Sequence, residues 1–223
     1  MNNIPSVTKN LLIINVLLWF GGMAMNKLGI DLNGLLGLHF FKASDFRLYQ
    51  LITYMFMHDG FAHVFFNMFA VWMFGSMMES TWGSRRFLFF YVACGLGAGI
   101  IQEGAQYIHW MVELSSYSAV NLGYTTVPMN DYLNMLNTVG ASGAVYGILL
   151  GYGMTYPDHQ LFVFPIPIPI KAKWLVIGYV VLELLLGLGN RPGDNVAHFA
   201  HLGGMLVGFL IILYWRGKSR LRY

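Results

Sequence analysis

Charge is what this sequence has least of. Asp, Glu, Lys and Arg make up 10% of its 223 residues, against 57% that are apolar. Soluble domains carry roughly 25% charged residues, so a chain this poor in charge has too little polar surface to cover itself in water. A water-soluble globule is excluded. Cysteine is nearly absent as well. The single Cys94 lies inside an apolar run, which rules out an intrachain disulfide. There is no internal repeat, and the one low-complexity stretch is Pro165-Ile166-Pro167-Ile168-Pro169-Ile170. Its alternating prolines exclude helix, so an extended connection is expected there. What is abundant points the other way: 26 glycines and 14 methionines suit helices packed closely in lipid. The formal net charge of +3 says little about partners, because in a membrane protein the placement of charge matters more than its sum.

A spanning helix needs about 20 mainly apolar residues. Six segments qualify: residues 10–25, 59–78, 87–110, 139–156, 172–188 and 196–215. The expectation is therefore an all-α bundle of six transmembrane helices in a single domain over residues 1–223, with its core at about residues 46–215 and no separate soluble domain. The first segment lacks a small-residue cleavage site and reads as a retained helix. Asp59 is expected to cap the second, and the short apolar stretch 48–57 to lie at the interface or lead into it. Lys and Arg set the orientation. With the N-terminus inside, the inner segments hold Lys9, Arg85, Arg86, Lys171, Lys173, Arg216, Lys218, Arg220 and Arg222, and the outer ones Lys27, Lys42, Arg47 and Arg191, which is nine against four. Residues 111–138 contain no Lys or Arg and suit the outside.

Polar residues inside spans are costly and usually functional. The second helix carries His63 and Asn67 four residues apart, hence on one face. The fourth opens Gly140-Ala141-Ser142-Gly143, with Tyr146 one turn beyond Ser142. The sixth contains His198 and His201, followed by Gly204 and Gly208. All three sets fall at similar depth below the outer surface. Gly143, Gly147 and Gly151 on the fourth helix, and Gly204 and Gly208 on the sixth, form small-residue rows that let backbones approach closely in lipid. Ser142 and His201 border these rows. Close packing there brings a hydroxyl and an imidazole within hydrogen-bond reach, which is what a serine nucleophile requires. His201 shares the glycine face and His198 does not, so His201 is chosen as the base. His63 and Asn67 supply donors for the oxyanion formed on attack. Gly99 on the third helix lies away from these rows, and bulk there is expected to be milder.

These residues resemble the rhomboid proteases. Gly140-Ala141-Ser142-Gly143 is similar to the family's G-x-S-G nucleophile motif, with Tyr146 at the tyrosine one turn on. His63 and Asn67 match its H-x-x-x-N pair, with His58 upstream, and His201, Gly204 and Gly208 match H-x-x-G-x-x-x-G. Arg47 matches the arginine of a W-R pair in the first outer loop, where Phe46 replaces the tryptophan. The resemblance runs from about Phe46 to Gly208. It implies a Ser142–His201 dyad with no acidic third member and with Tyr146 stacked on the imidazole. The oxyanion would be held by the Ser142 amide, His63 and Asn67, and no cofactor or metal is implied. The implied substrates are single-span membrane proteins cut near the outer face. The implied setting is the lipid bilayer of a bacterial inner membrane, with both termini cytoplasmic and no nucleic acid as partner.

Blander readings exist for each part. Glycine beside serine in a membrane helix is commonly plain packing, and a lone intramembrane histidine is commonly structural. Glu183 and Glu103 are further intramembrane carboxylates, and Glu183 is expected to pair with a polar neighbour. Glu79 is expected in a solvated ion pair with Arg85 or Arg86. Two other classes stay open. One is a histidine-lined metal site using His58, His63, His198 and His201, although H-E-x-x-H is absent. The other is a catalytically silent rhomboid-like binding protein, although Ser142 and His201 are both present.

Overall fold

The computed structural model describes residues 4–162, 168–189 and 197–220. Arg191, Arg222, the expected sixth-helix start at Val196 and the first three residues of the proline run lie outside them.

The bundle is built from α1 (Ser6–Asn26), α2 (Phe61–Trp82), α3 (Ser84–Leu114), α4 (Ser142–Thr155), α5 (Ala172–Gly189) and α6 (His198–Arg220). Among the described residues five helices are long and apolar enough to cross a membrane, namely α1, α2, α3, α5 and α6 down to Lys218. The fourth is the exception to the six expected. It has 14 residues, so it runs for about 21 Å at 1.5 Å per residue, short of a hydrocarbon core of about 30 Å. It compensates by being enclosed. Gly143, Ala144, Val145, Gly147, Ile148, Leu150, Gly151, Tyr152 and Gly153 are all buried, and α2, α3, α5 and α6 pack around it. The chain is thus a helical membrane bundle whose shortest helix forms its axis. By contrast α5 is peripheral, with Trp174, Leu185 and Leu188 at least 60% exposed, an apolar face that suits lipid.

Local chemistry explains where the helices break. At Gly83, φ is +81°, a conformation that glycine adopts without a Cβ penalty, and its N–H donates to Glu79 O at 2.8 Å, ending α2 before α3 begins. Within α2 the ladder opens into a π turn at Val71–Gly75. Asp59 does not cap α2. The cap position is Gly60, without a side-chain bond, and the Asp59 carboxylate instead accepts from Asn33 Nδ2 at 3.2 Å.

Glu79 is also not in a solvated ion pair. It is 2% exposed and accepts from Thr8 N at 2.7 Å, Thr8 Oγ1 at 2.8 Å, Val7 N at 3.0 Å and Ser84 Oγ at 2.7 Å. A carboxylate at the end of α2 therefore satisfies the first-turn amides of α1, where negative charge is also favoured by the helix dipole. On the same side, Lys171 and Lys173 pair with the exposed Asp158 at 3.2 and 2.8 Å and hold its carboxyl below the usual range. The described end of the proline run, Ile170–Lys171, is extended and pairs antiparallel with Gln160–Leu161.

On the opposite side two loops form a lid of small elements. Leu38–His39 pairs antiparallel with Asn137–Thr138, and Ala119–Asn121 with Thr126–Pro128. The 1%-exposed Gln50 accepts from Arg47 N and donates to Asp45 O and Leu35 O. Glu103 on α3 accepts from Phe41 N at 2.7 Å. The stretch after Tyr49 forms a helical turn at Gln50–Thr53 and a 3-10 turn at Tyr54–Phe56. The Leu38–His39 pairing with Asn137–Thr138 and the bond from Gly140 N to Tyr54 O tie this region to the turn before α4.

Candidate active site

Ser142 is the first residue of α4, and the turn before it decides where it points. Gly140 sits at φ +127°. A Cβ there would lie 2.7 Å from His63 Nε2, so both the backbone conformation and the space require glycine. The Gly140 N–H donates to Tyr54 O at 2.9 Å, tying the turn to the 3-10 turn at Tyr54–Phe56. The hydroxyl is half-buried, not sealed.

Across the bundle, His201 Nε2 lies 2.9 Å from Ser142 Oγ. Backbone contact explains this closeness. A Cβ on Gly204 would collide with the carbonyl of Gly143, and one on Gly147 would meet Gly204 O at 3.1 Å. Gly208 faces Gly147 on one side and Phe90 of α3 on the other. The seam is not purely α4 against α6. Gly203 abuts Ala98 and Gly97 of α3, and Gly151 turns away toward Trp82, which a Cβ there would meet at 2.7 Å. Tyr146, one turn below Ser142, stacks on His201 with ring centroids 4.2 Å apart and planes at 9°.

On α2, His63 and Asn67 share the face directed at this site. His63 stands edge-on to His58 at 4.9 Å, and its ring reaches Gly140 beside the serine. Asn67 is 6% exposed, and its Nδ2 finds no hydrogen-bond partner among the described residues. Such a buried orphan donor is costly unless something arrives to accept from it.

One residue corrects the reading from sequence. Glu183 of α5 is 3% exposed, and its Oε2 lies 2.6 Å from His198 Nδ1 and 3.0 Å from His201 Nδ1. An acidic group is therefore beside the imidazole where none was expected. Glu183 lies on the fifth helix, outside the three helices that carry the family motifs. The signal that marks it is a carboxylate in the middle of an apolar span.

The four histidines proposed for a metal do not form one ligand set. Among the described residues the one group with donors within 4.8 Å of each other is Glu183, His198 and His201. The 2.6 Å hydrogen bond between His198 Nδ1 and the carboxylate and the 3.0 Å ion-pair approach of His201 Nδ1 account for the cluster as side-chain pairing.

Residues 45–218 match the family model of the Rhomboid domain. The putative rhomboid protease YdcA of Bacillus subtilis is 30% identical over 177 residues, covering 78% of this chain and 71% of that protein. Rhomboid protein 1, mitochondrial, of Saccharomyces cerevisiae is 26% identical over 161 residues, covering 72% of this chain and 40% of that protein. Rhomboid protease GlpG of Yersinia pseudotuberculosis is 24% identical over 180 residues, covering 79% of this chain and 51% of that protein. The chain thus spans about half or less of the length of the last two.

Proposed function

The chain belongs to the rhomboid family of membrane-embedded serine proteases, and from that premise we propose that Ser142 is its nucleophile and His201 its general base in cutting single-span membrane proteins near the outer face. The observation that carries the reading is the 2.9 Å approach of His201 Nε2 to Ser142 Oγ, with the imidazole held flat by Tyr146.

In this mechanism Oγ attacks the substrate carbonyl as its proton passes to Nε2. The Ser142 amide at the start of α4, His63 and Asn67 donate to the oxyanion, a charge best stabilised by donors already in place. The imidazolium then protonates the leaving amine as the C–N bond breaks. Water, deprotonated by the same nitrogen, hydrolyses the acyl ester and restores Ser142. A short α4 supports the outer-face assignment. Ser142 begins that helix and is half-buried, and in the proposed setting the water that hydrolysis needs reaches it from the outer face. The setting we propose is a bacterial inner membrane with both termini cytoplasmic. No cofactor and no nucleic acid enters the scheme.

The test is cleavage of a generic single-span substrate by purified protein, read beside labelling with a serine-reactive fluorophosphonate and treatment with a chelator. Wild type is expected to cleave and label, Ser142→Ala and His201→Ala to do neither, and the chelator to change nothing. Cleavage that survives Ser142→Ala, or that is lost with the chelator, refutes the reading. A wild-type protein that neither cleaves nor labels is a silent binding member of the family.

A further inference from the structure

We propose that Glu183 is the positioning residue for His201, which makes the site a Ser142–His201–Glu183 arrangement drawn from α4, α6 and α5. The inference rests on the serine-protease reading above.

The argument begins with protons. If His201 Nε2 is to accept from Ser142 Oγ, the ring's one proton must sit on Nδ1. That Nδ1–H then needs an acceptor, because a buried donor without one is costly. Glu183 Oε2 is 3.0 Å away, and Nδ1 has no aligned hydrogen-bond partner among the described residues. The carboxylate thereby selects the tautomer that leaves Nε2 free as a base. Once Oγ has attacked, the ring is positively charged in a low-dielectric interior, and a carboxylate at this distance offsets that charge. The same logic underlies the acidic member of a catalytic triad.

A rival account is that Glu183 only pairs with His198 as a buried structural couple. The short bond, 2.6 Å, does go to His198. The His201 Nδ1–H is within distance but not aligned along it. The two facts fit one division of labour. His198 anchors the carboxylate, and the same oxygen stays available to His201, whose bond tightens when the ring becomes charged. Catalytic hydrogen bonds are often loose before substrate binds. A structural pair has no need of a second imidazole at 3.0 Å, nor of the Tyr146 hydroxyl that also lies against Glu183. Tyr146 is the ring stacked on His201, so α4 and α5 fix the imidazole by its face and by its Nδ1 edge. Three other titratable groups stand around this cluster: His198 on α6, Tyr179 on α5 beside Tyr146, and His63 on α2.

The experiment compares Glu183→Gln, Glu183→Asp and His198→Ala with wild type for kcat, KM, fluorophosphonate labelling rate and melting temperature, with Ser142→Ala alongside. Glutamine keeps the shape, removes the charge and can donate to Nδ1, which favours the wrong tautomer. It is expected to lower kcat and labelling by about 100-fold with KM within about threefold of wild type. Aspartate keeps the charge on a shorter arm and should recover part of the loss, remaining about tenfold below wild type. His198→Ala is expected to lower the melting temperature while costing less in kcat than Glu183→Gln. Wild-type kcat and labelling in Glu183→Gln overturn the proposal and leave the structural couple. If Glu183→Gln does not fold, Glu183→Met, which also removes the carboxylate, takes its place, and wild-type kcat and labelling there overturn the proposal equally. An active Ser142→Ala, by contrast, removes the serine-protease reading itself and this inference with it.

Discussion

Asn67 is a buried donor with nothing to donate to: its Nδ2 has no partner among the described residues, and it shares a face with His63, whose ring reaches the turn before Ser142. In the proposed mechanism an oxyanion formed at Ser142 is the acceptor this arrangement lacks at rest. Because that charge exists only after attack, Asn67→Ala is expected to lower kcat by about 10²–10³ and leave KM close to wild type. His63→Ala should act in the same direction, and each single loss is smaller if the two donors share the load. Steady-state kinetics on a single-span substrate decide it, and unchanged kcat with a raised KM makes Asn67 a substrate contact instead. At this scale the sequence was a good guide to groups on one helix and a poor one to groups on two. The i, i+4 pairs His63/Asn67 and Ser142/Tyr146 follow from helical spacing alone. No spacing rule connects Glu183 to His201, or Glu79 to the amides of Val7 and Thr8. Those partners are chosen by how helices dock, and so a carboxylate expected in water was found capping α1.

The existence of the spans was legible from apolar length, and the shortness of α4 was not. Val139, Gly140 and Ala141 read as helix by composition. In the structure, pairing of Asn137–Thr138 with Leu38–His39 and the +127° φ of Gly140 keep the chain out of the helix until Ser142. Long-range strand pairing overrode local pattern there, and it also set the serine at a helix start. The glycine rows, in contrast, were readable as a seam, although Phe90, Cys94 and Ala98 of α3 also pack against them. Gly204 is where the seam is tightest, since its Cβ would collide with Gly143 O. Gly204→Val is expected to lose most cleavage and fluorophosphonate labelling together and to melt at lower temperature. Overpacking costs roughly 1–3 kcal/mol, and a displacement of about 1 Å at a reacting pair costs about 10²-fold in rate. Gly99 is not the mild control that its distance from the rows suggests. A Cβ there meets Leu38 at 3.1 Å and Tyr54 at 3.3 Å, against the loop that fixes the serine turn. Gly104 is exposed with nothing within 4 Å, so Gly104→Val should retain both activities. Normal labelling by Gly204→Val shows that the Ser142–His201 contact does not depend on this seam.

At the scale of the whole molecule, the two sides of the bundle differ in charge. The start of α1, the α2–α3 turn, the paired segments Gln160–Leu161 and Ile170–Lys171 and the end of α6 lie on one side, held together by Glu79 on the α1 amides and by Arg216 donating to Met154 O. Among the described residues that side carries Lys9, Arg85, Arg86, Lys171, Lys173, Arg216, Lys218 and Arg220, against Lys27, Lys42 and Arg47 on the other, eight to three. Positive charge near short loops is retained in the cytoplasm, so the loops over Ser142 should face outward, where the proposed cleavage takes place. Cys94 is buried at 0% exposure and gives a silent background for single-cysteine probes. Tyr124, at the tip of the Ala119–Pro128 hairpin, is 86% exposed, and Gly217, near the end of α6, has nothing within 4 Å. In intact cells a membrane-impermeant maleimide is expected to label Tyr124→Cys at once and Gly217→Cys only after permeabilisation. Both variants should still label with fluorophosphonate, since neither touches the site. The reverse pattern puts the loops over Ser142 on the cytoplasmic side, and cleavage would then have to occur at the inner face of the bilayer.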